Sequence, residues 1–166
     1  MIGPSCAGSL YEKEYVALMD QIKKCYEHDL GPGDLPTRRK EGKLYGVVVP
    51  HGAYDLVGPC AAWAYKMVAE HKLPKTFVIL LPEESGAMNY QTTLEDFETV
   101  FGVCKNDKAL AQKLVDGGVV SKLDNFSSQA LELQLPWLQH ACKDKINEIR
   151  IVPIIVPHTH NYESLA

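Results

Sequence analysis

"GVVVPHGAYDLVGP", residues 46–59, decides how the rest of the chain is read. An apolar, β-branched run over residues 44–49 ends in Pro50-His51-Gly52, and a helical pattern opened by Pro59 follows it. A strand apolar on both faces belongs in a parallel sheet covered by helices on each side. Two more runs share that character: "KTFVILLP" (75–82) and "IRIVPIIVP" (149–157), the second interrupted by Pro153.

Helical patterns separate these runs. In "YEKEYVALMDQIKKCYEH" (11–28), Tyr15, Met19, Ile22 and Tyr26 fall on one face, and "GPGDLP" (31–36) stops the helix. "GPCAAWAYKMVAEHK" (58–72) is rich in small residues, with Pro59 expected near its first turn. "NDKALAQKLVDGG" (106–118) has Asn106 or Asp107 as its cap and Gly117-Gly118 as its stop. In "SSQALELQLPWLQHACK" (127–143) Pro136 predicts a kink or a break. "FETVFGVC" (97–104) reads as a strand or one arm of a hairpin. Alternating strands and helices predict an α/β fold, with a mostly parallel central sheet flanked by helices in a single domain over residues 1–166.

Composition narrows the function. With 166 residues, 46% hydrophobic and 23% charged, the chain has the make-up of an ordinary globular domain. A formal net charge of -4 disfavours a nucleic-acid surface, and Arg38-Arg39-Lys40 is a short run suited to a solvated loop. Cys6, Cys25, Cys60, Cys104 and Cys142 are odd in number, widely spaced and without a Cys-x-x-Cys pair, as expected of reduced thiols. No basic stretch precedes an apolar leader, and no apolar run approaches the ~20 residues that span a bilayer. The expectation is a soluble, cytoplasmic protein that binds neither nucleic acid nor membrane. Gly-x-Gly-x-x-Gly, Walker and Gly-x-Ser-x-Gly motifs are lacking.

In open α/β sheets, ligands collect beyond the carboxyl ends of the strands. The three runs end in Pro50-His51, Pro82-Glu83-Glu84 and Pro157-His158-Thr159-His160. If the strands are neighbours, His51, Glu84 and His158 or His160 converge, and imidazoles with a carboxylate are the donors that hold non-haem iron or zinc. Each element also has a plainer reading. A lone His after a strand is more often a hydrogen-bonding residue, Glu83-Glu84 suits a solvated turn, and the last two histidines lie near a terminus that frays.

Six segments in order, "CAGSLY", "LGPGDLP", "GVVVPHGAYDLVGPCAAWAYK", "VILLPEESG", "ALELQLPWLQ" and "IRIVPIIV", resemble the Memo-like family over nearly the whole chain. That resemblance implies the fold of class III extradiol dioxygenases, enzymes that use non-haem iron to open catechol rings. It puts His51 at the family's first metal-ligand histidine, within Pro-His-Ala-Gly-Tyr, here Pro50-His51-Gly52-Ala53-Tyr54. The second ligand histidine, in Gly-Pro-Asn/Ser-His, corresponds to Glu84. The acid/base histidine of Glu-His-Ser-Leu-Glu corresponds to Gln129, within Ser128-Gln129-Ala130-Leu131-Glu132. The third ligand, a cysteine, falls in a C-terminal portion of the family that has no counterpart here, so the expectation is a shortened domain. Tyr54, Glu83, Gln129 and Glu132 are then the expected pocket residues.

Glutamine exchanges no proton near neutral pH, so it cannot act as the general base. The leading expectation is therefore a catalytically degenerate Memo-like protein, a binding or structural subunit of an oligomer or larger assembly. A protein partner or second copy would cover the apolar strand at 149–156. The alternatives are a non-haem iron oxidoreductase of the extradiol type with His51, Glu84 and His158 or His160 as ligands, and a peptide-binding module using Tyr54, Trp63 and Trp137. Aromatics at helical spacing are, however, more often core.

Overall fold

A computed structural model describes residues 1–84 and 86–158. Its elements are α1 (Tyr15–Glu27), α2 (Tyr54–Ala69), β1 (Thr76–Pro82), β2 (Gln91–Thr92), β3 (Phe97–Thr99), β4 (Gly102–Cys104), α3 (Lys108–Asp116), β5 (Ser121–Lys122), α4 (Gln129–Ala141) and β6 (Arg150–Val156). The main sheet has the order β1-β6-β2-β5, and β3 and β4 form a separate antiparallel hairpin. β1 pairs with β6 and β2 with β5 in parallel, while β2 meets β6 antiparallel. The mixed α/β class and mostly parallel sheet agree with the sequence reading.

The apolar sequences at 76–82 and 150–156 become the two long strands, in register from Thr76 opposite Arg150 to Pro82 opposite Val156. Pro153 is accommodated within β6, opposite Ile79. The run at 44–49 corrects the expectation: it forms no strand. Among the described residues no backbone hydrogen bond joins it to β1, and Tyr45 and Val48 are 93% and 98% exposed. β-propensity describes fitness for a packed, pleated surface, and without a neighbouring ladder the sequence alone does not make a strand.

α4 is the centre of the molecule. All of its residues except Gln129 and Glu132 are buried, as expected of a helix packed on every side. Pro136 neither kinks the element into two nor ends it. Its missing N–H leaves only the Glu132 carbonyl without its helical donor, and the packing around α4 outweighs a penalty of about 3 kcal/mol. Trp137 is the hub of the core, stacked on Tyr65 with ring centres 5.5 Å apart and touching Tyr26 and Tyr54 at 5.6 and 5.3 Å. α2 begins at Tyr54, so Pro59 lies in its second turn and not near its start. Next to it, Gly58 allows α1 and α2 to touch: a Cβ there would sit 2.4 Å from the Cys25 sulfur.

Asp107, one of the two expected caps, accepts a hydrogen bond from the Leu110 N–H and starts α3, and Ser128 does the same for α4 through Leu131. The five cysteines are free thiols. Among the described residues no helix is long and apolar enough to cross a membrane.

Candidate functional site

The parallel pairing of β1 with β6 sets the geometry of the carboxyl edge. Because Pro82 lies opposite Val156, Glu83-Glu84 and Pro157-His158 leave the sheet side by side. The first turn of α4 abuts this edge. Pro82, Glu83, Glu84, Ser127, Ser128, Gln129 and Ile155 enclose a cavity of about 280 Å³. The structure thus brings together three of the expected residues, Glu83, Glu84 and Gln129. A carboxylate beside a helix N-terminus is favourably placed, since the first-turn N–H groups carry partial positive charge. The lining supplies carboxylates, hydroxyls and a carboxamide, with no imidazole among them. An amide donates and accepts hydrogen bonds but transfers no proton, so this lining suits holding a polar group in place.

His51 lies elsewhere. It is exposed at the end of the unpaired segment and lines a neighbouring groove of about 660 Å³; only Pro82 lines both spaces. The groove wall is fastened at this point by Gln134, whose side chain donates to the Pro50 carbonyl at 3.2 Å. His158 is exposed just past β6, and His160 lies outside the described residues. Among the described residues no group of three or more His, Cys, Asp or Glu side chains is gathered closely enough to hold a metal ion. Iron and zinc sites need about three protein donors. The donors gathered among the described residues are fewer than that.

The aromatic residues are spoken for. Tyr54 is fully buried and donates its hydroxyl to the Leu133 carbonyl at 2.8 Å, and Trp137 is the core hub described above. Trp63 is 54% exposed, its indole N–H bonded to the Leu30 carbonyl at 3.0 Å.

Glu132, one turn beyond Gln129, is engaged by the N-terminal segment. Its carboxylate accepts hydrogen bonds from the Ser5 N–H (2.9 Å), the Ser5 hydroxyl (2.7 Å), the Cys6 N–H (2.7 Å) and the Tyr11 hydroxyl (2.9 Å). Burial alone would raise its pKa, but these bonds from Ser5, Cys6 and Tyr11 outweigh that and hold it below the usual range. Burial and the nearby Glu132 charge push the Cys6 thiol up, partly offset by hydrogen bonds from Ser5 and Gln129. Cys6 is therefore a neutral thiol adjoining Gln129. Sequence reasoning missed this Ser5-Cys6-Tyr11-Glu132 cluster. Its only trace is that "CAGSLY" and "ALELQLPWLQ" occur in the same set of segments, which says nothing about contact across more than a hundred residues.

Comparison with known proteins matches the sequence to a family. A family model described as "Memo-like protein" matches residues 3–165. Among curated relatives, a MEMO1 family protein of Methanothermobacter thermautotrophicus is 32% identical over 156 residues, covering 91% of this chain and 55% of the relative. One from Methanopyrus kandleri is 36% identical over 157 residues (91% and 54%). One from Saccharolobus islandicus is 34% identical over 162 residues (92% and 56%). The chain spans about half the length of the curated relatives it matches.

Proposed function

The chain belongs to the Memo-like family, and from that premise we propose that it is a member without the family's proton-transfer chemistry, acting as a binding or structural subunit. The observation that carries this reading is the position of Gln129. It lines the strand-edge cavity beside Glu84, where the resemblance expects an acid/base histidine beside a ligand histidine. Both positions lack the expected imidazole: Gln129 takes away a base, and Glu84 puts a carboxylate donor where the resemblance expects a histidine donor. The kinship to extradiol dioxygenases is part of the same proposal, and in this chain it concerns the scaffold only.

The test is elemental analysis of protein purified without chelators, together with oxygen uptake in the presence of catechols. Substoichiometric iron and zinc, with uptake no faster than in buffer, are the expected results. One bound iron per chain with catechol-dependent uptake overturns the proposal.

A second reading, a non-haem iron oxidoreductase, draws on the adjacency of Glu84 and His158 at paired strand ends, with His51 one groove away. His51→Ala separates the two readings: loss of metal and of turnover together favours the enzyme, whereas unchanged metal content and unchanged partner binding favour the subunit.

A further inference from the structure

Helix α2 is apolar on two faces. Tyr54, Gly58, Ala61, Tyr65 and Val68 turn into the core, and on the opposite side Leu56, Cys60, Trp63 and Met67 recur at spacings of four, three and four. At 3.6 residues per turn these four form one stripe about 16 Å long. All four are exposed, Leu56, Trp63 and Met67 by 82%, 54% and 44%. Only Asp55 and Lys66 are charged among the 16 residues of the helix. A helix apolar all round is ordinarily covered all round.

Leu30, 76% exposed, widens the stripe, because its carbonyl accepts the Trp63 indole N–H at 3.0 Å. That bond also holds the Trp63 ring in place before anything docks on it. Together these side chains present on the order of 500 Å² of apolar surface, the upper end of what a monomer leaves in one patch. Charge marks the two ends of the stripe. Asp55, which accepts from the Gln21 amide at 2.8 Å, stands at the N-terminal end, and Lys66, paired with Asp34, stands at the C-terminal end. Eleven residues apart, the two share one flank of the helix.

We propose that this stripe is the contact between two copies of the chain, their α2 helices antiparallel about a two-fold axis that passes between Cys60 and Trp63. Three features select this occupant and this direction. In the antiparallel register each Trp63 meets Cys60 of the other copy, and each Leu56 meets Met67, so a bulky side chain always seats on a small or flexible one. A parallel pair would set Trp63 on Trp63 and leave a gap at Cys60. The antiparallel pair also brings the acidic end of each flank to the basic end of the other, as a contact of identical surfaces requires. Because Lys66 already has Asp34, that meeting fixes direction more than it adds affinity. Two copies would bury about 1,000 Å² of this surface, the lower bound for a specific interface. The inference goes beyond the loss of chemistry proposed above, since a catalytic chain would pair in the same way. Metal content and oxygen uptake test that reading, and molecular mass tests this one.

Light scattering of the full chain across the micromolar range should give the mass of two chains, falling to one on dilution. Trp63→Lys should raise the Kd of the dimer at least tenfold. Met67→Lys repeats the test without touching the indole bond to Leu30, and the urea midpoint of each variant reports that the fold is kept. Val103→Lys, on the β3-β4 hairpin, should leave the Kd unchanged. Direction is read from disulfides formed in air. Cys60 is the exposed thiol and the other four are buried, so the cysteines are added to a Cys60→Ser chain. There, Leu56→Cys should join Met67→Cys in a mixture, and neither should join itself. The proposal is overturned by the mass of one chain at every concentration, by a dimer that both lysine variants leave intact, or by Leu56→Cys chains that link to one another in preference to Met67→Cys.

Discussion

Replacing Glu132 by glutamine tests whether this side chain ties the N-terminal segment to the central helix. One carboxylate oxygen takes the Cys6 N–H and the Tyr11 hydroxyl, the other the Ser5 N–H and hydroxyl. Whichever way the amide of Glu132→Gln turns, its NH₂ group faces one backbone N–H, which loses its acceptor, and one hydroxyl, which must turn round to accept, while the two bonds to the remaining oxygen lose their charged acceptor. Hydrogen bonds to charged groups contribute about 1.5–3 kcal/mol each, and water reaches part of this site, so the expected loss is about 2–4 kcal/mol. That is a large share of the stability of an ordinary domain, roughly 5–15 kcal/mol. The sign with pH is fixed too. A carboxylate whose pKa is lowered by folding stabilises above its unfolded value, and that stabilisation is lost as pH falls through the folded value. The gap between wild type and variant should therefore be widest near neutrality and close on acidification. Urea denaturation followed by the fluorescence of buried Trp137, with amide exchange at Ser5 and Cys6, measures both effects. A loss under about 0.5 kcal/mol with unchanged protection would refute the argument.

Two further perturbations probe the core. Gly58→Ala should destabilise by about 1–3 kcal/mol despite the better helix propensity of alanine, because its Cβ would press on the Cys25 sulfur; adding Cys25→Ala should recover most of that loss in denaturant melts. His140 is buried, its pKa lowered to about 4 by desolvation and then by Lys143, against an unfolded value near 6.5. The unfolded chain takes up that proton first, so stability should fall by about 3 kcal/mol as pH drops from above 6.5 to 4, and His140→Phe should flatten this part of the profile.

The long elements were legible because their causes are local. Periodicity placed α1, a cap at Asn106 or Asp107 marked the start of α3, and apolar runs, the second interrupted by Pro153, gave β1 and β6. What misled was the assumption that such a run carries its own partner. Residues 44–49 share the apolar character of β1, but β1 has β6 beside it and they have no backbone partner among the described residues. With that strand missing, His51 stands beside the groove, and of the expected residues Glu83, Glu84 and Gln129 line the edge cavity. Prolines misled in the opposite direction. Pro136 breaks an isolated helix, but α4 is enclosed by Tyr26, Tyr54 and Tyr65, and that enclosure cannot be read from seventeen residues taken alone.

Gln129 and Glu132 are three apart, on one face of one helical turn, and the N-terminal segment meets both. They nevertheless answer to different demands. Glu132 is needed by the fold, since its removal leaves the donors of Ser5, Cys6 and Tyr11 without an acceptor, so its presence says nothing about catalysis. Gln129 faces the cavity and Cys6, positions where glutamine leaves no donor stranded, and an imidazole there is needed only if protons must move. On the function proposed above, a scaffold that keeps the carboxylate at 132 and has no imidazole at 129 retains what holds the helix in place without a base on that turn. Restoring the imidazole should therefore leave folding nearly unchanged: Gln129→His should shift the urea midpoint by less than the equivalent of about 1 kcal/mol, whereas Glu132→Gln shifts it severalfold more. Equal shifts for the two would mean that the helix turn has one job and not two.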